Sequence, residues 1–550
     1  MQSKQKRGAV PMMASTPEVL IVGSGPVGLV LACELLQQGV AVRLIDKIAA
    51  LNASDPHSRA ILLVPRALES LRRIGVAERL VTAGRQVPSI GYYADGRLLG
   101  TARLDRMDDT PYQFILALPQ RETERVLRER LRELGGMTEW GISLEQLDAS
   151  GTRPRAVLRH ADGTREVVTP DWLVGADGAS STVRSLLGGA LNGDATDVTY
   201  LIADAQIVGC PPDHAQYYYS QHGIVAVIPM RNGLYRVACN VPHDTNGSGE
   251  PRWRDVLQHA IDQRCGRPLV VGEPTYARLV RPRCGAAADL RLGRCFLAGD
   301  AGHVITPAGG QGMNLGIQDA TNLGWKLGGV VRGQLSERVL DSYSRERRAA
   351  AVRTAGITAR VIGFALQRVP WRIAVRNAVF FAADRAGVVQ RVLAPMLSQT
   401  DVDYGGVAHR PIWRLAQAAH VGQRIPLFVL GAGARTSEPS LDRELLTVAL
   451  WPGRRTPGTW SKTCARLSER LADRVHVLDL AAASPRVALS LRRCLGNSGR
   501  IVVVRPDGHI AHLAELDHPE EVLAYLREMT MPSGAASGVD AVASATAYSI

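Results

Sequence analysis

Lysine is scarce in this chain, its cysteines are scattered without paired spacing, and long apolar runs are missing. Of the 65 basic residues only five are lysine, so arginine carries nearly all of a formal net charge of +13. These basic residues are dispersed, whereas nucleic-acid-binding proteins gather them in a patch. No apolar run approaches the ~20 residues that cross a bilayer, and the basic N-terminus lacks the apolar core of a secretory signal. The composition therefore argues against stable membrane insertion and against a nucleic-acid partner.

The eight cysteines show neither a CxxC pair nor the spacing of a metal site. Reduced, buried thiols are typical of a cytoplasmic protein, which is the localisation we predict. An HExxH pattern and a nucleophile–base triad are also missing, so we predict no catalytic metal. At 550 residues the chain exceeds one compact core, and two or three domains are expected.

A short apolar strand near the N-terminus runs into the pattern GxGxxG. A helical pattern follows through Gln38, and then a second strand, Val40 to Ile45. Glycines at this spacing permit a tight turn, close approach of a pyrophosphate and close helix–strand packing, and an acid about 20 residues on accepts hydrogen bonds from a ribose. The sequence therefore predicts a dinucleotide site formed by Gly23, Ser24, Gly25, Pro26, Val27, Gly28, Asp46 and Lys47.

Two later segments repeat the arrangement of an apolar strand that ends in an acid. Trp172 to Val174 leads to Asp177, and Cys295 to Ala298 leads to Asp300. A glycine-rich loop follows Asp300, with a helix beginning near Gly312. An acid at a strand end accepts hydrogen bonds from a polyol, and a helix N-terminus favours negative charge. These features suit the ribityl and isoalloxazine ends of a flavin.

The three motifs together resemble the single-component FAD monooxygenases, the para-hydroxybenzoate hydroxylase-like aromatic hydroxylases. The shared patterns are GxGxxG, GADGxxSxVR and LAGDAxHxxxPxGGQGMN, followed by LDSYxxER from Leu340, and the match spans roughly residues 17–350. More narrowly, the chain resembles the branch that tailors aromatic polyketides and carries a thioredoxin-like C-terminal domain. The resemblance places Arg59 and Gln120 beside the cofactor, His303 in support of the flavin loop, and in that loop Pro307, Gly310, Gly312, Met313 and Asn314.

The expected fold class is α/β. A Rossmann-like FAD-binding domain of the para-hydroxybenzoate hydroxylase type carries an inserted antiparallel substrate sheet, and a helical region and a thioredoxin-like domain without CxxC follow it. The predicted boundaries are a disordered leader at 1–16, the FAD domain at 17–86, 113–190 and 281–340, the substrate sheet at 87–112 and 191–280, helices at 341–415, the thioredoxin-like domain at 416–530, and a flexible tail at 531–550.

The resemblance implies a reaction cycle. NADPH or NADH reduces FAD, O2 adds to the reduced ring to give a C4a-hydroperoxide, and one oxygen atom passes to an electron-rich, polycyclic phenol. Such an enzyme is a cytoplasmic monomer or homodimer in secondary metabolism, for example antibiotic biosynthesis. Because the flavin carries the hard chemistry, no protein nucleophile or metal is needed.

Other activities on the same scaffold stay open. Baeyer–Villiger insertion and epoxidation use the same cofactor motifs, which describe the cofactor and not the reacting carbon. A flavin halogenase is disfavoured because its WxWxIP pattern is absent. A non-catalytic binding protein on this fold would not need the flavin loop.

Substrate-facing residues are the least determined part of the sequence. Tyr217 and Tyr219 share one face of a predicted strand by its period of two, and His222 falls on the other. One of them could orient or deprotonate a phenol, although packing is the commoner role. Arg59 is the other candidate catalytic residue, with a structural ion pair as its alternative.

Two segments beyond the motifs carry predictions of their own. The basic, apolar segment from Val361 could touch a membrane surface, but we expect a helix packed on its own domain, since no wide apolar face is evident. Near Gly422 a composition break opens the last domain, in which Cys464 and Cys494 are isolated, so no disulfide exchange is expected.

Overall fold

The computed structural model describes most of the chain in ten ranges. They are residues 17–49, 60–193, 198–242, 252–281, 284–306, 308–405, 419–425, 446–453, 475–481 and 485–530. The predicted leader and tail lie outside these ranges, and so do Arg59, Pro307 and Cys464.

The strands are β1 (Val19–Val22), β2 (Val42–Asp46), β3 (Leu62–Leu63), β4 (Arg85–Val87), β5 (Ser89–Ala94), β6 (Arg97–Arg103), β7 (Ile115–Ala117), β8 (Thr138–Trp140), β9 (Ser143–Asp148), β10 (Arg155–Arg159), β11 (Arg165–Val168), β12 (Trp172–Gly175), β13 (Leu191–Asn192), β14 (Thr199–Val208), β15 (Ala215–Ser220), β16 (Gly223–Pro229), β17 (Leu234–Val241), β18 (Val270–Val271), β19 (Tyr276–Val280), β20 (Gly285–Ala287), β21 (Arg291–Leu292), β22 (Cys295–Leu297), β23 (His303–Val304), β24 (Thr447–Trp451), β25 (His476–Asp479), β26 (Arg500–Val504) and β27 (Ile510–Glu515).

The α-helices are α1 (Pro26–Gln37), α2 (Pro65–Arg73), α3 (Ala77–Ala83), α4 (Gln120–Glu133), α5 (Thr182–Leu186), α6 (Trp253–Arg264), α7 (Gln311–Val331), α8 (Asp341–Ala365), α9 (Pro370–Arg385), α10 (Val388–Ser398), α11 (Pro485–Leu495) and α12 (Pro519–Thr530).

The first large sheet has the order β21-β22-β12-β1-β2-β8, and all its pairs are parallel except β21 with β22. Its central strand β1 is fully apolar and buried, as expected for a parallel strand covered on both faces. Parallel strands end at one edge, so the residues after β1, β2, β12 and β22 meet there. Ligands of open α/β sheets bind at this edge.

The second large sheet has the order β18-β14-β17-β16-β15-β5-β6, and β19 pairs with β14 along the same edge as β18. The sequence predicted that its two segments would form one antiparallel sheet. They do join in one sheet, but β5 and β15 pair in parallel, in the register Tyr92 to Tyr217. A parallel pair needs a long crossover between its strands, and here the chain passes through the first sheet between them.

A helix interrupts the second strand-like segment, which the sequence analysis treated as strands throughout. Trp253–Arg264 forms α6, whose apolar residues recur at helical spacing, and it packs on one face of the second sheet. That face holds Tyr218, Val225 and Val237, while the opposite face turns toward the first sheet. The two faces of the second sheet therefore have different environments.

The C-terminal region contains a four-stranded sheet of order β25-β24-β26-β27. β24 and β25 are parallel, the other two pairs are antiparallel, and a turn at Arg505–Gly508 joins β26 to β27. Apolar clusters cover both faces of this sheet, so the region has its own core. Its assignment as thioredoxin-like stays a prediction, as do the domain boundaries.

Helices α8, α9 and α10 lie in the chain between the two large sheets and the C-terminal region. Within the described ranges no single helix is long and apolar enough to cross a membrane. Two successive helical segments meet that criterion only when they are taken together, and by length and composition alone. They are Glu337–Ala365 and Pro370–Arg385, which are bent by 119° relative to each other.

Candidate functional site

One cavity of about 580 Å³ lies between the carboxyl edge of the first sheet and the inner face of the second. Its volume is within the roughly 300–1,000 Å³ of small-molecule sites. Of the predicted site residues, its walls include Gly23, Ser24, Gly25, Pro26, Val27, Asp46, Lys47, Gln120, Asp177, Asp300, Gly310, Gly312, Met313 and Tyr217. Motifs that are almost 300 residues apart in sequence thus converge on one space.

The glycine turn after β1 combines two constraints. Gly23 has φ +104°, and an added Cβ would lie 2.4 Å from the Ala176 carbonyl oxygen. A Cβ on Gly28 would lie 1.9 Å from the Gly23 carbonyl oxygen, so this glycine serves helix–turn packing and does not line the cavity. A Cβ on Gly25 would meet nothing within 4 Å. The turn therefore leaves an open approach at Gly25, where a ligand can reach the backbone.

Two helices direct their N-termini at the cavity without a side-chain cap. α1 starts after Gly25 and α7 starts after Gly310, and neither has an acid in its first turn. The first N–H groups of a helix have no partner inside it and carry partial positive charge. Both ends are consequently suited to the negative parts of a ligand, such as a diphosphate or a reduced flavin ring.

Backbone N–H groups hold two of the acids at the strand ends in position. Asp46 Oδ2 accepts hydrogen bonds from the Ser24 N–H, at 2.8 Å, and from the Ser24 hydroxyl, at 3.0 Å. Asp177 accepts from the backbone N–H groups of Thr182 and Val183 at the start of α5. Asp300 lies exposed toward the cavity after β22. A carboxylate has about four acceptor positions, so these bonds leave acceptor capacity for a ligand.

Asn314 supports the flavin loop from behind and does not line the cavity. Its side chain accepts from the Val64 N–H at 2.9 Å and donates to the Leu62 and Gly310 carbonyls at 2.8 and 2.7 Å. Gly310 has φ +66°, and its Cβ would lie 2.9 Å from Leu62. The loop is thereby tied to β3, and the contact of Asn314 with the cofactor stays a prediction.

Asp319 on α7 is a positioning residue that the sequence analysis missed. It accepts from the Gly299 N–H at 2.9 Å, from His303 Nε2 at 2.6 Å and from Arg347 Nε at 2.6 Å. The carboxylate is fully buried, yet the His303 and Arg347 charges lower its pKa against the opposing effect of burial. This contact holds the strand end that carries Asp300. The LDSYxxER pattern was its signal, since Arg347 belongs to it.

The inner face of the second sheet forms an apolar wall of the cavity. Alternate residues of β14, β16 and β17 point to it, namely Ile202, Ile224, Ala226, Ile228 and Ala238. The cross-strand ion pair Asp204–Arg236 lies on the same face, and Arg236 lines the cavity. The sequence analysis missed this pair, although an acid and a base within two otherwise apolar strands were a visible signal.

The three predicted substrate-side residues have different surroundings. Tyr217 lines the cavity, and no described residue hydrogen-bonds its hydroxyl. Tyr219, on the same face, lies under α9 with Arg376 over its ring at 5.4 Å and is not among the residues lining the cavity. His222 is exposed in the turn between β15 and β16 and lies off the cavity, contrary to the expectation that it acts on substrate. The chain therefore brings only Tyr217 of these three to the cavity.

Burial raises the pKa of Tyr217 to about 12. Its hydroxyl is consequently protonated at neutral pH and is a hydrogen-bond donor, not a base, toward a ligand. Gln120 also faces the cavity, and its side-chain oxygen accepts from the Ala60 N–H at 3.3 Å. Arg59, one residue before Ala60, lies outside the described residues, so its contact with the cofactor stays a prediction.

These features fit FAD. Uncapped helix ends face the cavity at two separate points, strand-end acids suited to polyols line the same cavity, and the space at Gly25 is open. Among the described residues, no group of three or more His, Cys, Asp or Glu side chains could hold a metal ion.

Comparisons with known proteins agree with this geometry. The sequence profile of a family described as "FAD binding domain" matches residues 16–357. The chain is 42% identical over 346 residues to the 6-methylpretetramide 4-monooxygenase of Streptomyces rimosus, across 62% of this chain and 60% of that protein. It is 31% identical over 510 residues to the uncharacterized aromatic compound monooxygenase YhjG of Bacillus subtilis (strain 168), across 92% and 95% of the two chains.

A solved structure resembles the whole described arrangement. The OxyS anhydrotetracycline hydroxylase from Streptomyces rimosus superposes with a TM-score of 0.71 at 26% identity, covering 94% of this chain and 100% of that chain.

Proposed function

The chain belongs to this FAD-binding family of flavin-dependent aromatic monooxygenases, and from that premise we propose that it inserts one oxygen atom of O2 into a polycyclic aromatic phenol at the expense of NADPH or NADH. The observation that carries the proposal is the shared cavity, in which the flavin-type motifs face an apolar wall. A flat wall of isoleucine and alanine suits fused aromatic rings. Names of relatives that act on tetracycline precursors support a polyketide-like substrate.

Bound FAD would supply the redox chemistry, taking electrons from the nicotinamide and activating O2. This chain's residues would hold it: the glycine turn at the diphosphate, Asp46 at the adenosine ribose, Asp300 at the ribityl chain, and the start of α7 beneath the ring. The protein's further contribution is to exclude water and to orient the substrate. We assign the apolar wall of the second sheet to the first task and the Tyr217 hydroxyl to the second.

The decisive experiment is to incubate purified protein with NADPH, ¹⁸O2 and a panel of polycyclic phenols. We expect yellow protein and a product that gains one ¹⁸O atom on a ring carbon. A ring-expanded lactone as the product would redirect the proposal to Baeyer–Villiger chemistry on the same site, and an epoxide would redirect it to epoxidation. Colourless protein that fails to take up added FAD would refute it.

Tyr217→Phe tests the orienting hydroxyl. We expect full FAD retention, a several-fold higher KM and some uncoupled NADPH oxidation, because a lost neutral hydrogen bond is worth about 0.5–1.5 kcal/mol. Tyr218→Phe is the matched control, since Tyr218 is adjacent but on the opposite face of the sheet. Equal kinetics in both variants would remove Tyr217 from the substrate site.

A further inference from the structure

Helix α9 packs on its own domain, as the sequence predicted, but its outer side carries an exposed apolar face that was not expected. Trp371, Val375 and Val379 follow one another at intervals of four residues and are 64%, 53% and 58% exposed. Val361 and Phe364, near the end of α8, are exposed beside the bend between the helices. Contiguous exposed apolar side chains of this size mark an interaction surface more often than solvent-facing structure. We call these five residues the α8–α9 face.

The charged side chains of the segment that carries the α8–α9 face are mostly positive. Residues 352–385 contain six arginines and a single acid, Asp384. Asp384 is turned toward β6, where it accepts a hydrogen bond from the Thr101 N–H at 3.1 Å. Four of the arginines are exposed and have no ion-pair partner among the described residues: Arg360, Arg368, Arg372 and Arg385. The face is therefore apolar at its centre and cationic at its rim.

A series of ring contacts connects this face with the cavity. Tyr217 lies 5.8 Å from Tyr92, Tyr92 lies 5.3 Å from Phe380 on α9, and Phe380 lies 6.3 Å from Phe364, measured between ring centroids. The α8–α9 face thus lies on the outside of the layer that covers the substrate wall.

We propose that the α8–α9 face docks on the surface of an anionic lipid bilayer. An apolar helix face with tryptophan and phenylalanine, bordered by arginine, is the composition of helices that lie in a membrane interface. Anionic headgroups supply the opposite charge to the rim, and each arginine near such a surface adds to binding. The docking itself does not depend on the reaction. Where the proposed function also holds, an apolar phenol would be taken up from the bilayer side.

A second copy of this chain fits the face less well. A two-fold dimer contact brings the same patch of both subunits together. That geometry places the arginine rim of one subunit against the arginine rim of the other, without acids to offset the repulsion. The lipid surface is therefore the occupant that the charges favour.

Flotation of the purified flavoprotein with vesicles tests the proposal. We expect it to float with phosphatidylcholine–phosphatidylglycerol vesicles at low salt, and not with phosphatidylcholine alone or in molar salt, because exposed charges are then screened. Val375→Asp with Val379→Asp should abolish flotation. Removal of Arg368, Arg372 and Arg385 by Gln substitution should weaken vesicle binding roughly fivefold for each arginine.

Val208→Asp is the control, since Val208 on β14 is 71% exposed but lies in no such basic segment, and it should float like the parent protein. No flotation at low salt, or equal loss in the Val208→Asp variant, would overturn the proposal. So would a parent protein that is dimeric by light scattering and becomes monomeric only in the α9 variants. All variants should retain FAD and turn over a water-soluble phenol without vesicles, which separates this test from the proposed function.

Discussion

Helix α7 borders two polar regions that differ in the source of their hydrogen-bond and ion-pair partners. At its N-terminus, uncapped N–H groups face the cavity, and their partner would be a ligand. Along its middle, Lys326 joins a buried cluster in which Glu346 accepts from Lys326 at 2.8 Å and from both terminal nitrogens of Arg505 at 2.7 and 2.8 Å. Arg505 also donates to Asp507, at 2.6 Å. Here the protein itself supplies the ion-pair partners of these four charged groups.

This comparison shows that burial and charge alone do not identify the site. The Arg505 and Lys326 charges hold the pKa of Glu346 well below its ordinary value against burial, and burial lowers the pKa of Lys326 to about 8. Such shifts often mark catalytic groups, but ion-pair networks also produce them. The cluster joins the C-terminal sheet to α7 and α8, which is a structural role. The cavity is recognised instead by open space in front of polar backbone groups.

The largest effect should come from breaking the buried ion-pair cluster around Arg505. Arg505→Met leaves Glu346 and Asp507 side by side, and removal of one partner from a buried ion pair costs about 3–5 kcal/mol of unfolding free energy. Chemical denaturation measures the loss. Arg165→Met is the control, because Arg165 pairs with Glu145 on the surface and should contribute at most about 1 kcal/mol. Similar losses in both variants would contradict the distinction between the two regions.

The opposite test places a methyl group in the part of the cavity that is open at Gly25. Gly25→Ala meets no protein atom within 4 Å, so the folded chain should keep its stability. The methyl group would occupy the approach to the backbone, and we expect FAD binding to weaken by about 1–3 kcal/mol, the usual cost of overpacking. Titration of apoprotein with FAD gives this value. Gly356→Ala, also without contacts but on α8, should bind FAD normally. Normal binding by the Gly25→Ala variant would place the diphosphate elsewhere.

Lowering the pH should reduce the stability of the buried cluster around Arg505 through His509. Burial lowers the pKa of His509 to about 4 from an ordinary 6.5, among Asp507, Arg66, Arg505 and the Tyr404 ring. Between these pH values the unfolded chain binds a proton that the folded chain does not. The free energy of unfolding therefore falls as pH drops through this window, by at most about 1.4 kcal/mol per pH unit.

Denaturation of the His509→Gln variant between pH 7 and 5 isolates this contribution. Its unfolding free energy should depend less steeply on pH than that of the parent protein. His518→Gln removes an exposed histidine and should leave the steepness unchanged. An unaltered pH dependence in His509→Gln would mean that folding does not lower the pKa of His509.

The smallest effect is expected from the C-terminal cysteines. Cys494 lies on α11, and Cys464 lies outside the described residues. Replacing both with Ser should leave turnover unchanged, because no CxxC pair is present. A loss of more than about tenfold, or 1.4 kcal/mol of barrier, would give this region a redox role.

Local patterns determined much of the fold and of the cavity. The glycine turn and the acids at the ends of β2, β12 and β22 follow from backbone sterics and side-chain period within a few residues. Each was therefore readable from the sequence. The helical spacing in α6 was readable by the same rule but was not separated from the strands around it.

Only the tertiary structure decided the long-range pairings. The parallel contact of β5 with β15, the join of Arg505 to Glu346, and the burial of Tyr219 under α9 while Tyr217 faces the cavity all depend on segments distant in sequence. Distant segments also determine which face of α9 is left exposed. A local pattern gives the period of a face but not its neighbour, because the neighbour is chosen by packing and charge across the whole fold.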